Sequence, residues 1–170
     1  MDHKFVHLRV HTVFSLSEST LRISKLSELA KNDRQPAMAI TDTQNIFGGY
    51  EFSKIMAQSG IQPIIGSSVI IKDENGIGEV VLLAQNETGY KNLSKLMSDS
   101  WIKSDGSGKP LVDLSELLNL SEGLILLTGG VREGFIASVA NSSPELAKTR
   151  LKLLAAKMSN RVYVELQRHD

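Results

Sequence analysis

The chain has 170 residues, of which 19 are basic and 19 acidic, so it carries no formal net charge, and 41% are hydrophobic. These values predict one globular domain and disfavour a segment that holds nucleic acid by neutralising phosphates. The absence of cysteine excludes disulfides, thiolate nucleophiles and cysteine-ligated metals. No apolar run is long enough to span a bilayer and the N-terminus lacks a signal-peptide core, so we expect a cytoplasmic protein with no membrane contact.

The first part of the chain alternates between strand-like and helix-like segments. Residues 5–10 predict a strand with buried apolar side chains, and residues 37–40 predict a second strand. Between them lies a predicted helix, with Ser19 or Thr20 as a candidate N-cap. One apolar face of this helix contains Leu21, Ile23, Leu26, Leu29 and Ala30.

The middle of the chain predicts a helix over residues 48–58 and two further strands. Residues 61–71 and 79–84 are rich in isoleucine, valine and leucine, and the Asp-Glu-Asn-Gly turn at 73–76 separates them. This arrangement predicts that the two strands pair as a hairpin. Asn86 is a candidate cap for the helix that follows.

The last third predicts strands at residues 124–127 and 162–166, with a helix that starts at residues 143–145 (Ser-Pro-Glu). Strands that alternate with helices indicate an α/β fold with a largely parallel sheet. Closed barrels of this class usually need about 200–250 residues or more. We therefore expect the chain to be part of a longer fold.

Three polar side chains alternate along the first predicted strand. His7, Arg9 and His11 would share one face of it, and Asp42 follows the second strand. Imidazoles and carboxylates that meet at the ends of barrel strands can bind Zn²⁺, Mn²⁺ or Fe²⁺ and activate water for phosphoester hydrolysis. The same residues can also form an ordinary polar face, and Arg9 would repel a dication. The pattern by itself leaves both interpretations open.

A glycine-rich segment, Gly-Gly-Val-Arg-Glu-Gly at residues 129–134, follows a predicted strand. Glycines in this position can cradle a phosphate, but the spacing matches neither common phosphate-binding fingerprint. Glycines also commonly serve as turns between a strand and a helix, so this second interpretation is the simpler one.

Several separated segments resemble, in order and spacing, the N-terminal PHP domain of bacterial DNA polymerase III α subunits. The resemblance implies a distorted, TIM-like β/α barrel of the α/β class. Residues 1–170 would form an incomplete N-terminal portion of it, with the rest of the PHP domain and the polymerase domains outside this chain. The similar segments are FVHLRVHTVFSL (5–16), PAMAITDTQNIFGGYEF (36–52), GIQPIIGSSV (60–69), LLAQNETGYKNLSKLMS (82–98), EGLILLTGG (122–130) and YVELQRH (163–169).

The metal-binding members of this family provide a pattern to compare with this sequence. Their first motif contains two histidines that flank one residue, whereas here Arg9 replaces the first histidine and His11-Thr12 is retained. Glu18 matches a position where aspartate is usual, and Asp42-Thr43 stands where the pattern has Asp-His. The resemblance therefore implies that this metal site has lost ligands.

Two further ligand positions also differ, since Ser68 replaces a glutamate and Glu79 replaces a histidine. A guanidinium stays protonated, so Arg9 is expected to take the place of the metal charge and to pair with Asp42, Glu18 or Glu79. No metal and no other cofactor is expected in this segment. The degenerate pocket comprises His7, Arg9, His11, Glu18, Asp42, Thr43, Ser68 and Glu79.

The resemblance implies a non-catalytic module of a DNA-directed DNA polymerase, a nucleotidyltransferase of chromosome replication. The module would support the polymerase core and dock the proofreading exonuclease and other replicase subunits. The parent protein would bind DNA and Mg²⁺ elsewhere. The alternative is an active metal-dependent phosphoesterase or 3′–5′ exonuclease of the PHP superfamily. A free-standing phosphatase related to histidinol phosphatase would need an intact metal site, which Arg9 and Thr43 contradict.

Overall fold

A computed structural model of the protein describes residues 5–104, 106 and 108–166. The chain divides into two compact units, residues 1–67 (unit 1) and 68–170 (unit 2). The helices are α1 (Ile23–Asn32), α2 (Gly49–Gln58), α3 (Glu87–Lys103), α4 (Leu114–Asn119), α5 (Ala137–Ala140) and α6 (Pro144–Lys157). The strands are β1 (Ala37–Ile40), β2 (Gln62–Asp73), β3 (Gly76–Ala84), β4 (Val112–Asp113), β5 (Leu124–Leu127) and β6 (Val162–Tyr163). This alternation confirms the predicted α/β class.

Unit 1 is built on a parallel pair of strands. Strand β1 pairs with the beginning of β2, from Ala37 opposite Gln62 to Ile40 opposite Ile65. Helices α1 and α2 contact each other, and their apolar faces share a core with β1. The buried core residues are Ile23, Leu26, Ala30, Met38, Ile40, Phe52, Met56 and Ile61.

The predicted strand at residues 5–10 is present only as an extended segment beside β1. His7 forms an isolated parallel bridge with Met38, and Thr41 N donates to Val10 O over 2.8 Å. Val10 N donates to the side-chain Oγ1 of Thr41, at 3.0 Å, instead of to a backbone carbonyl. The prediction of a regular strand is therefore wrong. The predicted burial is also wrong for Phe5 and Leu8, which are exposed.

Two of the predicted helix caps differ in the structure. Helix α1 begins after Arg22, which makes no side-chain cap bond, while Ser19 Oγ donates to His11 O at 2.8 Å. Helix α6 begins at the predicted proline, but Ser143 makes no side-chain cap bond either. The cap at Asn86 is confirmed, since its Oδ1 accepts from Gly89 N at 2.9 Å.

Unit 2 contains a mixed sheet, which corrects the expectation of a largely parallel one. The end of β2 pairs in parallel with β4, and β3 lies next to β2 in the strand order. Strand β3 runs antiparallel to β5, whereas β5 and β6 are parallel. A connection as short as the one between β2 and β3 can join only antiparallel neighbours, so the predicted hairpin reverses the chain direction within the sheet.

The glycine-rich segment 129–134 forms a turn that packs against β3. Gly129 has a φ of 79°, and a Cβ there would lie 2.4 Å from Glu79 O. Glu79 N donates to Glu133 O at 2.7 Å, and Phe135 N donates to Glu79 O at 2.8 Å. A side chain at residue 129 would therefore separate the turn from the strand. This close packing favours the turn interpretation over a phosphate cradle.

A buried ion pair joins α6 to the end of β2 in unit 2. Arg150 is only 3% exposed, and its Nε and Nη2 donate to the two carboxylate oxygens of Asp73 at 2.8 and 2.7 Å. Its Nη1 donates to Phe135 O at 2.6 Å, and the guanidinium carbon lies 3.8 Å from the centre of the Phe135 ring. No local sequence pattern indicates this pair, because Asp73 and Arg150 are 77 residues apart.

We expect Arg150→Ala to lower the free energy of unfolding by about 3–5 kcal/mol, because it leaves the carboxylate of Asp73 without its cation. Urea denaturation followed by circular dichroism measures this loss. Lys148→Ala is the matched control on the same helix, since it removes an exposed pair with Glu145 and should cost less than about 1 kcal/mol. Equal stabilities of the two variants would contradict the structural role of Arg150.

Candidate functional site

The carboxylate of Asp42 lies directly after β1 and is 1% exposed. Its Oδ1 accepts from the backbone N of Thr12 at 2.6 Å and from Ser15 Oγ at 2.6 Å. Its Oδ2 accepts from Thr12 Oγ1 at 2.8 Å. Each of these three donors is neutral. They stabilise a buried carboxylate by hydrogen bonding, which offsets the cost of removing it from water.

Further hydrogen bonds hold the segment after His11 against the segment after β1. Thr43 N donates to Ser15 Oγ at 3.1 Å, so this hydroxyl accepts one bond while it donates another. Asn45 Nδ2 donates to Phe14 O at 3.0 Å and to Thr43 O at 2.9 Å. The two segments are thereby fixed at the end of β1, where the sequence predicted a pocket.

A second cluster of the predicted pocket contains His11, Glu18 and Thr43. Glu18 Oε2 accepts from Thr43 Oγ1 at 2.5 Å and lies 3.0 Å from His11 Nδ1. His11 Nδ1 is also 3.3 Å from Thr43 Oγ1. A proton on Nδ1 lets the imidazole donate to Glu18. Thr43 stands where the metal-binding pattern has a histidine, and here its hydroxyl binds Glu18.

The structure brings together only part of the predicted set. His11, Glu18, Asp42 and Thr43 meet at the end of β1 in unit 1. His7 lies earlier on the extended segment and is exposed.

The other three predicted residues are Arg9, Ser68 and Glu79. Arg9 is partly buried, and its pairing with Asp42, Glu18 or Glu79 stays a prediction. Ser68 and Glu79 belong to unit 2, in β2 and β3, where Ser68 is buried and Glu79 partly buried.

The sequence did not identify the two residues that supply the donors to Asp42. Thr12 and Ser15 are 30 and 27 residues away from Asp42 in the chain. The one available signal was the abundance of serine and threonine between residues 12 and 20. Composition of this kind does not reveal which carboxylate a hydroxyl will contact.

The donor set of this network does not fit a transition-metal centre. A metal needs lone pairs on its ligands, and here hydrogen-bond donors already face both oxygens of Asp42. Across residues 5–104, 106 and 108–166, no three side chains of histidine, cysteine, aspartate or glutamate are grouped as a metal site requires.

Residues 7–169 match the PHP domain family. The chain belongs to this family. The PHP domain is 37% identical over 176 residues to the DNA polymerase III subunit alpha of Caulobacter vibrioides, covering 97% of this chain and 15% of that protein. The subunit of the same name from Vibrio cholerae is 29% identical over 170 residues, covering 98% and 15%. The resemblance found in the sequence motifs is therefore confirmed.

This PHP chain spans about one seventh of the curated relatives that it matches, since it covers 14–15% of their length. Among solved structures it is similar to a protein assigned as a metal-dependent phosphoesterase from Bifidobacterium adolescentis, with a TM-score of 0.55 and 15% sequence identity. The similarity covers 94% of this chain and 85% of that one. An identity this low shows the fold alone, and it confirms the predicted fold class.

We expect Asp42→Asn to lower the free energy of unfolding by about 1.5–3 kcal/mol, because an amide N–H₂ would face a donor where an oxygen now accepts. Urea denaturation measures the change. Glu51→Gln, in the exposed first turn of α2, is the control and should leave stability within about 0.5 kcal/mol. An Asp42→Asn variant as stable as this control would show that the network contributes little.

Proposed function

We propose that the chain is a PHP module of the catalytic α subunit of a bacterial replicative DNA polymerase, and that the module is a scaffold with no hydrolytic activity. The relatives that carry this name match the chain over 97–100% of its length. The observation that supports the scaffold role is the carboxylate of Asp42, whose oxygens accept from Thr12 and Ser15. In this arrangement hydroxyl and peptide donors stabilise the negative charge of the carboxylate, as a metal ion would in a metal-binding member of the family.

The substitutions in the predicted pocket support the same role. Arg9 brings a permanent positive charge, which disfavours a dication nearby. The hydroxyl of Thr43 is already engaged with Glu18, and a hydroxyl is a weaker metal ligand than an imidazole. Ser68 likewise stands where the family pattern has a glutamate. The chemistry of the parent protein would therefore take place outside this module.

The parent would be a DNA-directed DNA polymerase whose Mg²⁺ and DNA are bound by other domains. The zero net charge of the chain supports this division, because a segment that holds phosphates would be expected to be basic. The module would support the polymerase core and dock the proofreading exonuclease and other replicase subunits in the cytoplasm. In the part of the chain that the structure describes, no helix has the length and hydropathy to cross a membrane.

Metal content and hydrolysis test the scaffold role directly. We expect the purified full-length subunit to contain no stoichiometric Zn, Mn or Fe attributable to its PHP domain, and to show no EDTA-sensitive hydrolysis of nitrophenyl phosphate or of a primer 3′ end. Asp42→Asn is the matched control, since an activity of this site would fall in that variant. Hydrolysis that EDTA and Asp42→Asn both abolish would support the alternative, an active phosphoesterase or exonuclease.

We also expect the double substitution Arg9→His with Thr43→His not to restore strong metal binding. The two new imidazoles would meet an Asp42 that is still engaged with Thr12 and Ser15. Titration calorimetry with Zn²⁺ and Mn²⁺ measures the affinity, and circular dichroism confirms that the variant is folded. Stoichiometric binding with micromolar or tighter affinity would show that the remaining ligands had been misjudged.

A further inference from the structure

A second feature, in unit 2, is a groove between α4 and α6 with a volume of about 510 Å³. Its walls contain four leucines, Leu114 and Leu118 on α4 and Leu146 and Leu153 on α6. Residues spaced by four or by seven positions share one face of a helix, so each helix presents an apolar stripe to the groove. We call this surface, defined by these four residues, the leucine groove.

The leucine groove has a rigid and electrically neutral floor. Arg150 and Asp73 both line it, and they neutralise each other through two hydrogen bonds of 2.8 and 2.7 Å. Because Arg150 also donates to Phe135 O, its guanidinium is fixed from two sides. A partner that enters the groove would therefore meet apolar walls and would not need to displace an ion pair.

The charged residues that line the leucine groove carry one net negative charge. Lys72 Nζ and Asp113 Oδ1 lie 4.0 Å apart, so their charges largely offset each other. Glu74 is exposed on the same rim and makes no ion pair with any residue that the structure describes. One negative charge thus remains beside an apolar surface. Rim charges of this kind select partners of opposite charge and speed their association.

We propose that the leucine groove binds a short apolar segment of a partner polypeptide that carries a lysine or arginine next to its apolar side chains. Apolar side chains from two helices form the kind of surface that accepts the apolar face of another segment. The volume is in the range of known binding cavities, roughly 300–1,000 Å³. The inference rests on the docking role proposed above, and it names the surface and the chemistry of the partner.

Fluorescence anisotropy with the full-length subunit tests this proposal. The probe is a labelled peptide with leucines at i, i+4 and i+7 and flanking lysines, and its counterpart has glutamates in place of the lysines. We expect the lysine peptide to bind more tightly. Leu153→Asp should weaken its binding by about tenfold or more, since Leu153 is 43% exposed and can be replaced without opening the core.

A matched control and a charge reversal sharpen the test. Ile102→Asp changes a 79% exposed apolar residue of α3 outside the groove and should leave the affinity unchanged. Glu74→Lys should reduce or reverse the preference for the lysine peptide over the glutamate peptide. Equal binding by Leu153→Asp and the parent protein, or no preference between the two peptides, would overturn the proposal.

One further result would also overturn it. If the 170-residue chain binds the lysine peptide but the full-length subunit does not, the rest of the subunit covers the leucine groove and no separate partner can use it. The test is independent of the scaffold role, because metal-dependent hydrolysis would refute that role and leave the groove intact. Failure of peptide binding would leave the metal and hydrolysis results unchanged.

Discussion

The arrangement of unit 1 depends on the hydrogen bonds that surround the carboxylate of Asp42. A carboxylate that is 1% exposed is tolerated only where donors replace its water, and here Thr12 and Ser15 provide them. These contacts fix the segment that follows His11 at the end of β1. The bond from Thr43 to Glu18 then follows from the same placement, since Thr43 is the next residue after Asp42. One buried charge thereby organises four of the eight residues of the predicted pocket.

The protein buries its carboxylates in two different ways. Asp42 is stabilised by a peptide N–H and two hydroxyls, whereas Asp73 is paired with the guanidinium of Arg150. Neutral donors stabilise the negative charge without a counter-charge that must also be desolvated. An ion pair with fixed geometry instead links distant parts of the chain, here the end of β2 and α6. In both cases the two oxygens of the buried carboxylate accept hydrogen bonds from within the protein.

The charges of the chain agree with the proposal that the module binds a polypeptide. The chain has no net charge, and the leucine groove combines apolar walls with one net negative charge, which would repel phosphates. The curated relatives are about seven times longer than this chain, and the proposed role of the module within such a protein is to contribute surfaces for assembly. A protein of similar fold is assigned as a metal-dependent phosphoesterase, and a fold by itself does not determine function.

Local sequence patterns were sufficient for the elements whose signals are themselves local. Strand β1, the cap at Asn86 and strand β5 lie where periodicity and turn residues predicted them, and the motifs identified the family. The regular strand at residues 5–10 was not formed, because the hydroxyl of Thr41 takes the place of a backbone acceptor. The donors to the carboxylate of Asp42 lie 27 and 30 residues away along the chain, and Asp73 lies 77 residues away from Arg150. Only the tertiary structure decides such pairs, because a hydroxyl or a guanidinium can satisfy any suitably placed acceptor and its spacing in the sequence does not specify which one.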